Sequence, residues 1–268
     1  MKPLLLGLAI AAAVTACATA TSPTGRTQQV GAVSQQQLNQ MGAQAFAQAK
    51  AQNRQSSNAS QNNYVRCVVN AVTRELPANW QSNWETALFV DDSPNAFALP
   101  GGKVGLFTGI FKVARNQDQM AGVIAHEIGH VVSRHHDERI TRQMGAQAGL
   151  GILGALVGSQ YGQGAANATG QLGGAAVQAG FLLPNNRTQE MEADVVGQRL
   201  MAQAGFDPAE AVNLWQNMIA ASKGSRQPQW LSTHPDPQSR IQELRQRAGS
   251  LATVYQQAKA AGRRPSCG

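Results

Sequence analysis

The sequence predicts a single α+β domain that is mostly helical and contains a small antiparallel sheet. Helix-type spacing of apolar residues occurs both before and after a short central region of the 268-residue chain. In that central region, the segments WETALFV, NAFAL and KVGLF are typical of short strands, with turn residues between them. A further apolar segment, AGVIAHEIGHVV, predicts a helix of the core. This helix also carries histidines, which are the first candidate functional residues.

The first residues have the composition of an export signal. Lys2 precedes the apolar run Leu4–Val14, which is too short to span a bilayer as a stable helix. The letters VTAC that follow resemble a bacterial lipobox, which implies cleavage before Cys17 and acylation of that cysteine. We therefore expect a signal peptide over residues 1–16 and a lipid-anchored tether over residues 17–34. The alternative is an ordinary signal peptide with a chance cysteine.

The residue after the cysteine bears on localisation. It is Ala18, and in lipoproteins of this kind a residue other than aspartate there usually permits transfer to the outer membrane. We expect the protein on the periplasmic face of the bacterial outer membrane, with the inner membrane as the less favoured alternative.

Two cysteines remain outside the anchor, Cys67 and Cys267. Disulfides form and persist in the periplasm, and neither cysteine has a Cys or His neighbour at metal-ligand spacing. We expect a structural disulfide between them. Two unpaired or buried thiols are the alternative, since the sequence cannot place the two Cα atoms within bridging distance.

The chain is basic, with a formal net charge of +7 and a pI near 9.8. It has no basic cluster with interleaved aromatic residues, and an exported lipoprotein meets little nucleic acid. Anionic lipid headgroups, lipopolysaccharide phosphates or simple solubility account for the charge. We expect contact with the membrane through the lipid anchor and no nucleic-acid partner.

Helices are predicted on both sides of the strands. The low-complexity segment SQQQLNQMGAQAFAQAKAQN suits a surface helix, and NNYVRCVVNAVTREL predicts a helix that stops at Pro77. The letters PGG after Leu99 mark a tight reversal. Asn116 is the predicted N-cap of the next helix, with Gln119 as its capping-box partner, and this helix runs through His130.

Between about residues 145 and 183 the chain is rich in glycine and alanine. A helical hairpin packed on the domain, a lid over a cleft and a contact with the nearby membrane all suit this composition. The stretch is too interrupted for a membrane-spanning helix. Its role stays open.

The histidines of HEIGH are candidate metal ligands. His126 and His130 lie four residues apart, about 40° from each other around a helix axis, so both imidazoles project from one face. His135 and His136 point away from that face. Two imidazoles can hold zinc, but a catalytic site needs a third protein ligand and keeps one position open for water.

The third ligand is expected in RTQEMEADVVGQRLMAQAGFDP. Thr188 can cap a helix that ends near Gly205. Glu190 and Asp194 share one face of it, with Glu190 as the natural ligand and Asp194 placed to accept a hydrogen bond from a ligating imidazole. Glu192 is the competing carboxylate, about 200° around the helix from Glu190.

The segment LSTHPDPQSRIQEL is a third candidate region. Asp236 and Pro237 predict the start of a helix that carries Arg240, with His234 in the loop before it. During peptide hydrolysis, charge develops on the carbonyl oxygen, and a fixed donor beside the metal stabilises it. His234 and Arg240 are candidates for that role, while a capping or surface contact is the alternative for the histidine.

The segments HEIGH, EMEAD and THPDPQSR, with PNAFALPGG upstream, together resemble the HtpX-like and CAAX-prenyl-protease-type zinc metallopeptidases. The similarity is greatest to their periplasmic LoiP- and BepA-like branch. It covers the chain from about Ser34 to Arg247 and implies a zincin-like peptidase domain over residues 35–268. The glycine-rich insert and the C-terminal RRPSCG depart from the family pattern.

The resemblance also implies roles for single residues. It assigns the ligands of one Zn²⁺ ion per chain, which are His126, His130 and Glu190. Glu127 becomes the general base and Asp194 a supporting or proton-handling residue. His234 and Arg240 fall where the family has a histidine and an arginine near the metal.

The implied activity is endopeptidase cleavage of misfolded or unassembled envelope proteins, with the outer-membrane assembly machinery as a candidate partner. NAFAL falls where the family places an edge strand that can bind an extended substrate. The alternative is a lipoprotein that chaperones or binds outer-membrane proteins and has a latent or structural zinc site. Three clear ligands and the otherwise unused Glu127 favour the enzyme, whereas zinc binding by His234 would favour latency.

Overall fold

The computed structural model describes residues 18–81, 83–145, 183–222, 234 and 237–268. Several predicted features lie outside the described residues, namely the predicted signal peptide, Cys17, nearly all of the glycine-rich insert and the predicted cap Asp236. The chain divides into two compact units, one formed by residues 1–37 with 134–186 and the other by residues 38–133 with 187–268. No helix in the described part is both long and apolar enough to cross a membrane.

The first unit contains a β-hairpin and a helical segment over residues 135–145. Strands β1 (Ala18–Thr21) and β2 (Thr27–Val30) pair in antiparallel fashion. Arg26, in the turn, donates to both carboxylate oxygens of Glu138 at 2.7 and 2.9 Å, and the Glu138 side chain is fully buried. Arg142 donates to the same carboxylate at 2.6 Å.

The segment expected to be a tether is therefore ordered from Ala18 onward, which differs from the sequence prediction. The expectation rested on the lack of apolar periodicity. Residues 18–31 are instead held in place by the pairing of β1 with β2 and by the buried ion pair of Arg26 with Glu138. The Gly31 amide also donates a hydrogen bond to Asp137 at 2.9 Å. None of these contacts leaves a periodic apolar signal.

The second unit contains a three-stranded sheet at the predicted segments. The strands are β3 (Glu85–Phe89), β4 (Ala96–Leu99) and β5 (Lys103–Phe107), in the spatial order β3-β5-β4. The β4–β5 pair is antiparallel, joined by a reversal in which Gly101 and Gly102 have positive φ, as PGG predicts. The β3–β5 pair is parallel, because the chain crosses to the far edge before it returns through the centre. The small sheet is thus mixed, whereas the sequence predicts an antiparallel one.

The sheet has two apolar faces. Leu88, Val104 and Leu106 face the main core, which they share with helices α2 (Ala59–Thr73) and α3 (Gln117–Val132). The other face packs against helix α1 (Gln35–Gln52) through a cluster of aromatic rings. The rings of that cluster are Phe46, Phe89, Phe97 and Phe107.

Helix α3 is the predicted histidine helix. Its N-cap Asn116 accepts a hydrogen bond from the Gln119 amide at 2.8 Å, which confirms the predicted start. Gln119 accepts from the Arg115 amide rather than from that of the cap residue. Every residue from 119 to 131 is buried, as expected for a helix that is apolar on most sides. The histidines are thereby held inside the core.

Three helices complete the second unit: α4 (Leu183–Ala204), α5 (Glu210–Ser222) and α6 (Pro237–Ala260). Gly205 follows α4 with a φ of +83°, as the sequence predicts. The predicted cap at Thr188 is wrong, because α4 begins five residues earlier. Pro184 does not stop it, since proline is tolerated in a first turn. The mostly helical α+β fold class is confirmed.

The C-terminal tail is held to the second unit by a disulfide. Cys67 of α2 pairs with Cys267, with their Cα atoms 5.5 Å apart, as predicted. Gln117, the first residue of α3, donates to the Pro265 carbonyl at 2.9 Å and accepts from the Cys267 amide at 3.0 Å. The tail therefore contacts both α2 and the start of the histidine helix.

Candidate metal centre

Helix α3 brings two imidazoles together inside the protein. The Nε2 atoms of His126 and His130 lie 3.2 Å apart, and both side chains are buried. The four-residue spacing places them on one face, as the helix geometry predicts. The helix residues on either side of them are buried as well.

The carboxylate of Glu190, on α4, lies beside both imidazoles. Its Oε2 lies 3.3 Å from Nε2 of His126, and its Oε1 lies 3.3 Å from Nε2 of His130. His234 joins them, so that one ligand atom from each of the four side chains lies within 4.8 Å of all the others. All four residues are buried. Glu192 is also buried but does not belong to this group of four.

A layer of charged side chains lies behind the donor atoms. Nδ1 of His126 lies 3.0 Å from Oδ1 of Asp194. Arg240 donates to Asp194 through Nε and Nη2, both at 2.7 Å, and to Oε2 of Glu190 through Nη1 at 2.8 Å. The guanidinium lies 4.0 Å from the ring of Trp215. This arrangement fixes both carboxylates relative to the imidazoles.

Arg240 therefore differs from its predicted use as a donor to a substrate oxygen. It is 2% exposed, and its guanidinium donates to two carboxylates of the protein itself. The sequence placed the arginine near the metal but could not give the direction of its side chain. Trp215 was missed altogether, since a ring beneath a guanidinium depends on tertiary packing and leaves no motif.

The charges of the site follow from these contacts. Burial raises the pKa of Asp194, but the neighbouring Arg240 outweighs it and holds that pKa at about 2. Burial raises the pKa of Glu190 too, yet the nearby His130 and the hydrogen bonds from His126 and His130 hold that pKa well below its usual range. Both carboxylates are therefore ionised at neutral pH. They outweigh the effect of burial on His126 and raise its pKa to about 9.

Glu127 and His234 lie together beside the donor atoms. Nε2 of His234 is 3.4 Å from Oε1 of Glu127, and both residues are buried. Burial lowers the pKa of His234 to about 3, so its imidazole is neutral and keeps one nitrogen lone pair. Glu127 is not one of the four grouped ligands, so its carboxylate suits proton transfer rather than metal binding.

Comparison with known proteins agrees with the geometry. The model for peptidase family M48 matches residues 59–248, which is more than half of the chain and includes every member of the site. The chain belongs to peptidase family M48. The predicted family resemblance is thus confirmed. His135 and His136 lie within the matched range but outside the group of four, as expected.

Similar M48-related proteins come from mitochondria and from bacteria. The chain is 38% identical over 155 residues to the mitochondrial metalloendopeptidase OMA1 of Schizosaccharomyces pombe, covering 58% of this chain and 43% of that protein. It is 34% identical over 177 residues to the beta-barrel assembly-enhancing protease of Escherichia coli, covering 63% and 35% respectively. The chain thus spans less than half of the length of these relatives.

Proposed function

We propose that this M48 protein is a zinc-dependent endopeptidase. The observation that carries the proposal is the spacing of the ligand atoms: the Nε2 atoms of His126 and His130 lie 3.2 Å apart, and each lies 3.3 Å from one carboxylate oxygen of Glu190. Two nitrogen or oxygen ligands bound to tetrahedral zinc at about 2.0–2.1 Å are separated by about 3.3 Å. The donor set of two imidazoles and one carboxylate also matches known catalytic zinc sites.

The roles of the residues follow from their positions. When bound, zinc would polarise the scissile carbonyl and make a water acidic enough to attack it near neutral pH. Glu127 takes the proton from the attacking water and passes it to the leaving amine. Asp194 and Arg240 orient His126 and Glu190. His234 is the remaining candidate to donate to the developing oxyanion.

The strand order supports a mode of substrate binding. Among the described strands, β4 has a single neighbour, β5, and so forms an edge of the sheet. An extended peptide can add to such an edge through main-chain hydrogen bonds, which gives loose sequence specificity. We include this strand addition in the proposal. Misfolded or unassembled polypeptides are the substrate class that it suits.

Location and partners are also part of the proposal. The VTAC sequence supports acylation at Cys17 and attachment to the periplasmic face of the outer membrane. The names of the bacterial relatives, beta-barrel assembly-enhancing proteases, support envelope proteins as substrates and the outer-membrane assembly machinery as a partner. The mitochondrial relatives do not bear on this location.

A second candidate function rests on the fourth member of the group. If His234 binds the metal at rest, four protein ligands close the site, and the protein is a binding or chaperone lipoprotein with a latent centre. The two functions differ in the effect of His234→Ala. Cleavage rises in this variant if the histidine blocks the site, and it falls if the histidine stabilises the oxyanion.

The proposal is tested by zinc-dependent cleavage of an unfolded protein substrate. Wild type should cleave, lose cleavage when a chelator removes the metal, and regain it when Zn²⁺ is restored. Glu127→Gln should retain bound zinc and the fold but lose cleavage, because only the base is removed. Cleavage by Glu127→Gln at the wild-type rate would refute the role of Glu127, and cleavage without metal would refute the class of enzyme.

A further inference from the structure

The two helices that carry the metal ligands approach each other through glycines. A Cβ atom placed on Gly129 of α3 would lie 2.9 Å from the carbonyl oxygen of Ala193. A Cβ atom placed on Gly197 of α4 would lie 3.0 Å from the backbone nitrogen of His126 and 3.1 Å from the Ala125 carbonyl. Each glycine therefore faces backbone of the opposite helix, which cannot move aside by a side-chain rotation.

The close approaches at Gly129 and Gly197 and the contacts of the candidate metal site all lie between α3 and α4. Asp194 reaches His126 at 3.0 Å, and Glu190 reaches both histidines at 3.3 Å. Gly129 lies one residue before His130, and Gly197 lies three residues beyond Asp194. Any increase in the separation of the two backbones at the glycines would therefore also move both carboxylates away from the imidazoles.

We propose that Gly129 and Gly197 are positioning residues, which set the separation of α3 and α4 so that Glu190 closes the metal site. This inference rests on the proposed function. Metal–ligand distances in a working site hold to about ±0.2 Å. A methyl group at either glycine requires a displacement of a few tenths of an ångström, because an ordinary Cβ contact lies beyond 3.4 Å. The displacement is therefore large enough to weaken metal binding.

Gly197→Ala in the full chain tests this inference. We expect its dissociation constant for Zn²⁺, measured by competition with a chelator, to rise about 10- to 100-fold, the range for changes that disturb the orientation of ligands. With Co²⁺ in place of Zn²⁺, the visible absorption bands should shift or lose intensity, because the coordination geometry changes. Neither measurement depends on catalysis. Circular dichroism of the metal-free variant should show an intact fold.

Two other helical glycines provide matched controls. Gly122 lies one turn before His126 on the same helix, and a Cβ there would meet the flexible end of Leu214 at 3.3 Å. A Cβ atom placed on Gly249 of α6 would meet no described atom within 4 Å. Gly122→Ala and Gly249→Ala gain the same helix propensity. Both should bind Zn²⁺ and Co²⁺ as wild type does.

The outcomes separate this inference from the proposed function. Failure of wild type to bind Zn²⁺ would overturn the proposed function. Wild-type binding with an unchanged dissociation constant and Co²⁺ spectrum in Gly197→Ala would overturn the positioning role alone. If Gly197→Ala does not fold, Gly129→Ala is measured in the same way. Loss of the fold in both, with the controls folded, would show that these glycines serve general packing and would also overturn the inference.

Discussion

Asp194 contacts His126 on the ring nitrogen that faces away from the other candidate ligands, with Oδ1 of the carboxylate 3.0 Å from Nδ1 of the imidazole. Because Asp194 is ionised, Nδ1 carries the proton and donates it. The other ring nitrogen, Nε2, faces His130 and Glu190, and because the pKa of His126 is raised to about 9, a metal gains the lone pair of Nε2 by displacing its proton. A single carboxylate thus fixes both the orientation and the tautomer of a ligand.

Asp194→Asn should weaken metal binding without changing the size of the side chain. The amide makes a weaker hydrogen bond and no longer neutralises Arg240, so we expect the Zn²⁺ dissociation constant to rise about 10- to 100-fold. Chelator competition measures it. Glu243→Gln is the control, because Glu243 pairs with Arg247 at 3.6 Å and is 40% exposed in its side chain. Equal Zn²⁺ affinity of Asp194→Asn and wild type would contradict the role of Asp194.

Glu190→Ala should lose the metal, while Glu192→Ala should keep it. Both carboxylates lie on α4 and both are buried, but Glu190 is the one grouped with the histidines as a possible metal ligand. Metal content after purification distinguishes them. Full zinc occupancy in Glu190→Ala would show that the ligand has been assigned to the wrong residue. Loss of bound zinc in Glu192→Ala would show the same.

The sequence predicts the parts of this site that depend on helix geometry. His126, His130, Glu190 and Asp194 are paired at four-residue spacing, which places each pair on one face whatever surrounds the helix. The direction of the Arg240 side chain depends on which partner is nearer in space, so the sequence alone could not give it.

In the fold, too, the sequence predicts local features but not those that depend on residues distant in the chain. Alternating and turn residues predict the three strands, but the parallel pairing of β3 with β5 depends on the path of the connection between them. The N-terminal hairpin was missed because its order comes from Arg26 and a residue 112 positions away, Glu138. Long-range ion pairs of this kind leave no local pattern.

Cys17→Ser should leave the protein unacylated and free of the membrane. The prediction rests on VTAC, the lipobox-like sequence at the end of the predicted signal peptide. Labelled fatty acid should be incorporated by wild type and not by the variant, and membrane fractionation should find the variant in the soluble periplasmic fraction. Cys67→Ser, which also removes one thiol, should still incorporate label. Incorporation by Cys17→Ser would rule out this anchor.

Reduction of the Cys67–Cys267 disulfide should destabilise the protein. The two cysteines are 200 positions apart, and the chain-entropy model gives about 5 kcal/mol for a loop this long, with native strain lowering it. Denaturant unfolding with and without reductant measures the difference. Thiol labelling of the unfolded, unreduced protein should find neither cysteine and should find both after reduction. Quantitative labelling without reductant would show that the thiols are free.

Glu138→Gln should destabilise the N-terminal hairpin. The Glu138 carboxylate is fully buried between Arg26 and Arg142, and removal of one charge from a buried pair costs about 3 to 5 kcal/mol. Limited proteolysis should then cut the chain near residues 18–30. Asp92→Asn is the control, because its pair with Lys112 is exposed and worth about 0 to 1 kcal/mol. Equal protease resistance of the two variants would contradict the role of the buried pair.

The disulfide also determines what happens when the chain itself is cut. Any single cleavage between residues 67 and 267 yields two fragments that remain joined through Cys67 and Cys267. His130 and Glu190 can fall on different fragments, yet the metal site stays within one covalent molecule. A nicked protein would run as one species on a non-reducing gel and as two after reduction. The bond thus keeps the candidate ligands in one molecule after a single break in the chain between the two cysteines.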